Sequence, residues 1–320
     1  MKGNTVAIAC LAIMGLSLIS LFVGASSISM TLIWSDPTMQ TIFFISRLPR
    51  TLALLLAGSA MAIAGFIMQL LTQNRFVEPS LIGTTQSASL GLLLVLIIFP
   101  SASIMVKMGI ASSFALLGTM LFMVLLRQVV HKSTLVVPLV GIMLSAIIGA
   151  ITVFIAMYFD LLQSLGAWMS GDFSSVIKGR YELLWIVGLL VIAACWIADG
   201  FTVAGMGRDF AVNIGLNYPK IMLLGMSIVA IISGVVVVVV GVLPFVGLIV
   251  PNLLSHTMGD NSRRTLPWIC LSGGGLVLLC DIIGRLIRYP FEIPASVILG
   301  VIGAVIFLFL LFRQPRHAKQ

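Results

Sequence analysis

Charged residues are scarce in this chain. Only 9% of its 320 residues are Asp, Glu, Lys or Arg, whereas a soluble domain carries about 25%. Hydrophobic residues make up 60%, and the mean hydropathy is +1.20. Such a chain cannot cover a water-facing surface, which excludes a soluble globular protein, and its apolar content excludes a disordered one. We therefore predict an all-α polytopic membrane protein, with residues 1–320 forming one transmembrane domain.

The residues of several kinds of active site are also missing. The sequence has no Gly-x-x-x-x-Gly-Lys-Ser/Thr loop to cradle nucleotide phosphates and no His-Glu-x-x-His pair. The 3 histidines are far apart, the 4 cysteines lie inside apolar runs without metal-type spacing, and the 17 methionines are spread evenly. We therefore expect no catalytic residue, no metal, no cofactor and no enzymatic activity of the chain itself.

Apolar segments divide the whole chain. A helix needs about 20 apolar residues to cross a bilayer, and ten segments approach that length. They are approximately 6–28, 51–71, 81–99, 103–126, 135–159, 183–198, 220–242, 245–258, 267–287 and 294–312. The first could also be a cleavable signal peptide. The eighth is short and interrupted by Pro244 and Pro251, which predicts a half-helix or a tilted entry.

The positions of Lys and Arg predict the orientation. With the N-terminus in the cytoplasm, most of the 18 basic residues fall on the cytoplasmic side, which places both termini inside. The remainder falls outside and needs a reason: Arg47, Arg50, Lys107, Lys178, Arg180, Arg285 and Arg288. Because the basic residues lie between apolar runs, the net charge of +8 indicates contact with the lipid bilayer and no binding of nucleic acid.

Two loops are too long to be simple turns. The outer loop, about 160–182, contains Trp168. The inner loop, about 199–219, has glycines followed by an amphipathic stretch with Phe210 and Ile214, which predicts a short helix along the cytoplasmic face. A plain connector is the alternative.

Two patterns lie inside the predicted helices. Gly141, Ser145 and Gly149 are spaced four residues apart, which favours close helix packing on one face, although scattered small residues are common in membrane helices. Asp281 is acidic within a span, and Arg285 lies one turn further on. We expect a structural ion pair there, with a proton or sodium relay as the alternative.

Several motifs occur together in a recognisable order. They are Arg-Leu-Pro-Arg-Thr-Leu at 47–52, Asn-Arg-Phe-Val-Glu-Pro at 74–79, Trp-Met-Ser-Gly at 168–171, Leu-Pro-Phe-Val-Gly-Leu-Ile-Val-Pro-Asn at 243–252 and Asp-Ile-Ile-Gly-Arg at 281–285. From about residue 40 to 312 the chain resembles the permeases of ABC importers for iron-siderophore complexes and cobalamin. It looks most like the branch that imports catecholate-type ferric siderophores.

The resemblance implies an assembly in the bacterial cytoplasmic (inner) membrane. Ten helices per permease, two permease subunits around a central path, two cytoplasmic ATPase subunits and an extracytoplasmic substrate-binding protein are expected. A branch that often pairs different permeases favours a related chain over a second copy. The expected function is translocation of a ferric siderophore. The alternatives are an ion-coupled secondary transporter, a membrane enzyme or scaffold, and a permease of the same family for cobalamin or haem.

The resemblance also implies roles for particular residues. The arginines that dock carboxylates of the binding protein match Arg47, Arg50 and Arg285, with snorkelling to the interface as the alternative. The cytoplasmic gate matches Asn74 and Phe76, within a motif that commonly reads Asn-Pro-Leu. The positions that couple to the ATPase match Arg208, Asp209, Ala211, Gly215 and Leu216. Asn252 stands where the family commonly has His.

Overall fold

The computed structural model describes residues 3–24, 36–129, 136–259 and 261–312. Over these ranges the chain is helical and contains no strand. The α-helices are α1 (Gly3–Phe22), α2 (Pro37–Ile42), α3 (Leu48–Thr72), α4 (Thr84–Ile98), α5 (Ile104–Gln128), α6 (Val136–Tyr158), α7 (Leu162–Met169), α8 (Leu184–Trp196), α9 (Ala198–Gly205), α10 (Arg208–Asn213), α11 (Tyr218–Val239), α12 (Val246–Met258), α13 (Ser262–Ile287) and α14 (Ala295–Phe312). A π-helical turn, Phe43–Arg47, joins α2 to α3.

The helices confirm an all-α polytopic membrane protein. Six are long and apolar enough to cross a bilayer, and a seventh span is possible if α8 and α9, which meet at a bend of 63°, are taken together. Helices α4, α12 and α14 are apolar but shorter. The number of ten crossings stays a prediction, and the C-terminal tail, 313–320, which bears on the orientation, lies outside the described residues.

Helix α3 lies at the centre of the molecule. It is buried along most of its length and packs against α13, α12, α11 and α8. Small residues in its sequence make this possible: a Cβ at Gly58 would lie 2.6 Å from the backbone oxygen of Gly273, and a Cβ at Gly65 would lie 1.9 Å from that of Gly247. Close backbone approach of this kind is how membrane helices gain packing contacts without a hydrophobic driving force.

The outer surface of the bundle is apolar. Phe154 on α6 is 72% exposed and Val305 on α14 is 65% exposed, and α1 is also largely uncovered. In water these faces would be unfavourable, but acyl chains cover such surfaces without cost. The exposed apolar residues therefore agree with a chain surrounded by lipid.

The interrupted eighth segment is a half-helix in the structure. Helix α12 has only 13 residues, contains Pro251 and begins after Phe245, whose backbone is left-handed with φ +64°. The two long loops also contain helices: α7 in the outer loop, and α9 and α10 in the inner one. The plain-connector alternative is therefore wrong for the inner loop.

The close approach at Gly65 predicts a stability effect. Gly65→Ala should lower the free energy of unfolding by about 1–3 kcal/mol, because the new methyl group would overlap the backbone of Gly247. Gly109→Ala is the matched control, since a Cβ on that α5 residue meets nothing within 4 Å. Thermal unfolding of the two variants in nanodiscs measures the difference, and equal melting temperatures would contradict this packing.

Candidate functional site

An ionic cluster lies near the N-terminal end of α3. Asp281 on α13 accepts hydrogen bonds from Arg50 Nη2, at 2.7 Å, and from Arg285 Nη2. The second terminal nitrogen of Arg50 donates to Glu292 Oε2 at 2.6 Å. Asp281, Arg50 and Arg285 are 1%, 7% and 2% exposed. One buried carboxylate thus serves two guanidinium groups, and Glu292 supplies a second negative charge.

Arg285 of this cluster and the neighbouring Arg47 bind the C-terminal end of α1. Arg285 Nη1 donates to the carbonyl oxygens of Ser20, at 2.9 Å, and Val23, at 2.7 Å. Arg47 Nη1 donates to the Val23 oxygen at 2.5 Å. The last carbonyls of a helix lack partners within it and carry partial negative charge, so cations stabilise them. The ionic cluster therefore fastens α1, α3 and α13 together.

The structure corrects one expectation about the arginines matched to docking, namely that their side chains are exposed. Arg47, Arg50 and Arg285 are all buried and bonded to groups of their own chain, so none presents a free fork at the surface. The i,i+4 pair of Asp281 and Arg285 is present. The sequence alone did not reveal Glu292 and the end of α1 as partners, because both are distant along the chain. The docking role itself stays a prediction.

Two other outer basic residues contact one aromatic ring. Lys107 Nζ lies 5.6 Å and the Arg180 guanidinium 4.8 Å from the centre of the Trp168 ring. Arg180 also donates to the Val238 oxygen at 3.2 Å, and burial lowers the pKa of its guanidinium. Cation–π contact with Trp168 is therefore a structural reason for two of the basic residues on the outer side.

The predicted gate residues lie in the segment between α3 and α4, residues 73–83, which we call the gate loop. Helix α3 ends where Gln73 adopts a left-handed conformation, with φ 51°. Asn74 Oδ1 then accepts the Phe76 N–H at 2.9 Å. Both Asn74 and Phe76 are buried, and the Phe76 ring meets the edge of Phe307 on α14, with 5.9 Å between centroids.

The gate loop also contains a buried acid that the sequence analysis did not single out. Glu78 is 2% exposed, and its carboxylate accepts the N–H of Phe245 at 3.1 Å and the hydroxyl of Ser80. Burial raises the pKa of Glu78 to about 7. The available signal was a single acidic residue, between Val77 and Pro79, in a loop connecting two apolar helices.

The predicted coupling residues lie on and after α10. Gly207, with φ +111°, precedes the helix, and Gly215, with φ +85°, follows it. Ala211 is buried, whereas Asp209 and Phe210 face outwards. Around this segment Gln73 Nε2 donates to the Gly205 oxygen at 3.3 Å, which connects the end of α9 to the start of the gate loop. Of the remaining coupling positions, Arg208 is the first residue of the same short helix, and Leu216 follows it.

A cavity of about 160 Å³ separates these two regions. It is lined by the end of α3, the gate loop, α9 and α12: Phe66, Gln69, Leu70, Gln73, Asn74, Arg75, Gly205 and Ser255. The cavity is lined by both polar and apolar side chains and lies between the gate loop and α9.

The small residues of α6 pack against the far end of the gate loop. A Cβ at Gly141 would lie 3.0 Å from Ile82, and Ser145 Oγ donates to the Leu81 oxygen at 2.9 Å. A Cβ at Gly149 would lie 3.7 Å from the Gln86 side chain, on α4. The first two residues therefore contact the end of the gate loop, and the third contacts the helix that follows it. Over the described part of the chain, no group of three His, Cys, Asp or Glu could hold a metal ion.

Comparison with known proteins shows which family and which relatives this chain is similar to. The FecCD transport family matches residues 11–313. The chain is 44% identical to the petrobactin import system permease protein FatD of Bacillus anthracis, over 98% of this chain and 92% of the relative. It is 45% identical to the petrobactin import system permease protein YclN of Bacillus subtilis, over 95% and 96%. A solved inward-facing metal-chelate type ABC transporter superposes with a TM-score of 0.82 at 25% identity, covering 98% of this chain and all of the other.

Because two buried arginines share the Asp281 carboxylate, its removal should strongly lower the free energy of unfolding. Asp281→Ala should destabilise the protein by about 3–5 kcal/mol, because it leaves Arg50 and Arg285 buried without their common partner. Asp199→Ala is the control: Asp199 pairs with Arg263 at 3.4 Å on the surface, where an ion pair contributes about 1 kcal/mol or less. Thermal unfolding in nanodiscs compares them, and similar losses would disprove the role of the ionic cluster.

Proposed function

This chain belongs to the FecCD transport family, and from that premise we propose that it is the permease subunit of an ATP-driven ABC importer for a ferric siderophore. The observation that carries the proposal is its identity with two petrobactin import permeases over almost the whole chain. It is a multi-pass protein of the bacterial inner membrane. Petrobactin or a siderophore of related chemistry is the proposed cargo.

The proposed role involves no bond chemistry in this subunit. Its buried acids and arginines are bonded to one another or to backbone groups, and the spans offer cargo a mostly apolar, weakly binding surface. Weak binding suits a path, since a tight site would trap the complex.

ATP hydrolysis is assigned to two separate cytoplasmic ATPase subunits, and selectivity to an extracytoplasmic binding protein. A second permease, related to this chain or a copy of it, completes the path. Both termini are proposed to face the cytoplasm.

Docking of the binding protein is proposed at the ionic cluster. Glu292 is the most exposed of its acids, with 22% of its side chain accessible. A carboxylate of the binding protein would replace Glu292 as a partner of Arg50, and Arg47 and Arg285 would add positive charge beneath it. Exchange of one carboxylate for another keeps the buried guanidinium groups paired at each stage, which avoids the cost of an isolated charge.

Coupling to ATP hydrolysis is proposed through α10. Glycines with positive φ at both ends make α10 a short rigid unit between two hinges. Movement of α10 would reach the gate loop through α9 and the hydrogen bond between Gln73 and Gly205. Asn74 and Phe76 would then be displaced from α14, which would open the path at its cytoplasmic end.

The alternative of an ion-coupled secondary transporter is less well supported by the geometry. Such a transporter needs a titratable group free to exchange an ion. Asp281, the acid expected to serve, is bonded to two arginines instead.

Reconstitution tests the proposed function. Proteoliposomes containing this permease, its partner, the ATPase and the binding protein should take up ferric petrobactin only when ATP is enclosed. Cobalamin should neither enter nor compete. Uptake driven by a proton or sodium gradient without the ATPase would overturn the proposal in favour of secondary transport. Equal uptake of cobalamin would overturn the siderophore assignment.

Gly215 tests the coupling. Gly215→Leu should reduce ATP-driven uptake at least tenfold while ATP hydrolysis continues, because a side chain at φ +85° strains the end of α10. Gly179→Leu is the matched control: it has φ +96° and equally open surroundings, but lies in the outer loop. Normal uptake by the Gly215 variant would remove α10 from the coupling path.

A further inference from the structure

The gate loop is attached to α12 by a carboxylate. Glu78 points away from water towards the start of α12, and its Oε1 accepts the backbone N–H of Phe245 at 3.1 Å. The hydroxyl of Ser80 donates to the same carboxyl group. A buried acid with two donors around it forms a specific link between two segments that are distant along the chain.

Helix α12 needs this link because of the way it begins. Phe245 precedes its first residue in a left-handed conformation, and its own side chain cannot cap the helix. The first N–H groups of a helix have no partners within it and carry partial positive charge. Glu78 accepts the N–H of Phe245, immediately before these groups, and so places a carboxyl group from another segment at the start of α12.

The same bond lies beside a group of three aromatic rings. Phe307 of α14 stacks on Phe245, with 6.4 Å between centroids, and also contacts Phe76 of the gate loop. Glu78 lies two residues after Phe76 and bonds to the backbone of Phe245. The carboxyl group therefore connects the two segments whose phenylalanines both contact Phe307.

Two other side-chain attachments of the gate loop are neutral. Asn252 Nδ2 donates to the Arg75 oxygen at 2.7 Å, and Ser145 Oγ to the Leu81 oxygen. Hydrogen bonds to an ionised group are stronger than neutral ones, but a buried carboxylate also gains most from reaching water. Of these three attachments, the one through Glu78 is consequently the one whose strength changes most when the loop moves.

We propose that Glu78 is a positioning residue that holds the gate loop on α12, and that opening the cytoplasmic gate requires its transfer from the Phe245 N–H to water. This inference rests on the proposed function, because it assigns a mechanical role to the gate of an importer. The attachment of the loop itself can be measured without any cargo.

Burial makes this attachment sensitive to pH. It raises the pKa of Glu78 to about 7 from an ordinary value of 4.5. Arg75 in the same loop and His256 in the last turn of α12 are both exposed, and the described parts of α4, α6 and α14 carry no charged residue. Between these pKa values the attached state binds a proton that the released state does not. Release is therefore suppressed at low pH. As the pH rises, the equilibrium constant for release increases by up to about tenfold per pH unit, and it stops increasing near pH 7.

Hydrogen exchange of the complete importer in nanodiscs tests the proposal. Protection of residues 74–83, corrected for intrinsic exchange rates, should fall at least tenfold between about pH 5 and about pH 8 in the wild-type protein. Glu78→Gln keeps an acceptor but cannot ionise, so protection should stay high at every pH. Glu78→Ala removes the acceptor, so protection should be low at every pH and ATP hydrolysis should be at least threefold less well coupled to uptake.

Glu182→Gln is the control, because Glu182 also accepts a backbone N–H, that of Gly179, but in the outer loop. It should behave as the wild type. A pH profile that Glu78→Gln leaves unchanged would overturn the proposal, even if the Ala variant fails to fold. Altered protection with unchanged coupling would overturn the role in gating. If the pH effect depends on Glu78 but the protein imports no siderophore, the proposed cargo is wrong, and the role of Glu78 in attaching the loop still stands.

Discussion

Polar groups inside a membrane protein must find partners within the chain, because acyl chains provide none, and this constraint governs both ends of the bundle. At the end predicted to be outer, Asp281 accepts from Arg50 and Arg285, while carbonyls at the end of α1 accept from Arg285 and Arg47. At the opposite end, Glu78 accepts the N–H of Phe245, the residue immediately before α12. In both places an ionisable side chain from another segment bonds to backbone groups at a helix terminus.

The two ends differ in how easily they can rearrange. The ionic cluster contains two positive and two negative charges. Removal of Asp281 leaves Arg285 without a carboxylate, and removal of Arg50 leaves Glu292 without its arginine, so the cluster favours a fixed arrangement. Glu78 and the Ser80 hydroxyl that bonds to it lie in the same loop, and release of that loop leaves the Phe245 N–H without its partner. A fixed outer end and a releasable inner end suit a protein proposed to receive cargo on one side and to open on the other.

Small residues make the region between these ends possible. Gly58 and Gly65 bring α13 and α12 against α3 at backbone distance. On the opposite side, Gly141 and Ser145 hold the end of the gate loop against α6. The gate loop is thus supported by α6 and α12, and through Gln73 it also contacts α9.

Composition and periodicity alone were enough to predict a helical membrane protein, the half-helix at 245–258, the short helix in the inner loop and the pairing of Asp281 with Arg285. Each depends on residues close together in the chain, where apolar run length, proline and i,i+4 spacing act directly. The burial of Arg47 and Arg50, the contribution of Glu292 and the bond of Glu78 to the residue before α12 were decided only by the tertiary structure. These contacts join residues separated by more than a hundred positions or by a whole helix, and no local pattern records which distant group will satisfy a buried charge.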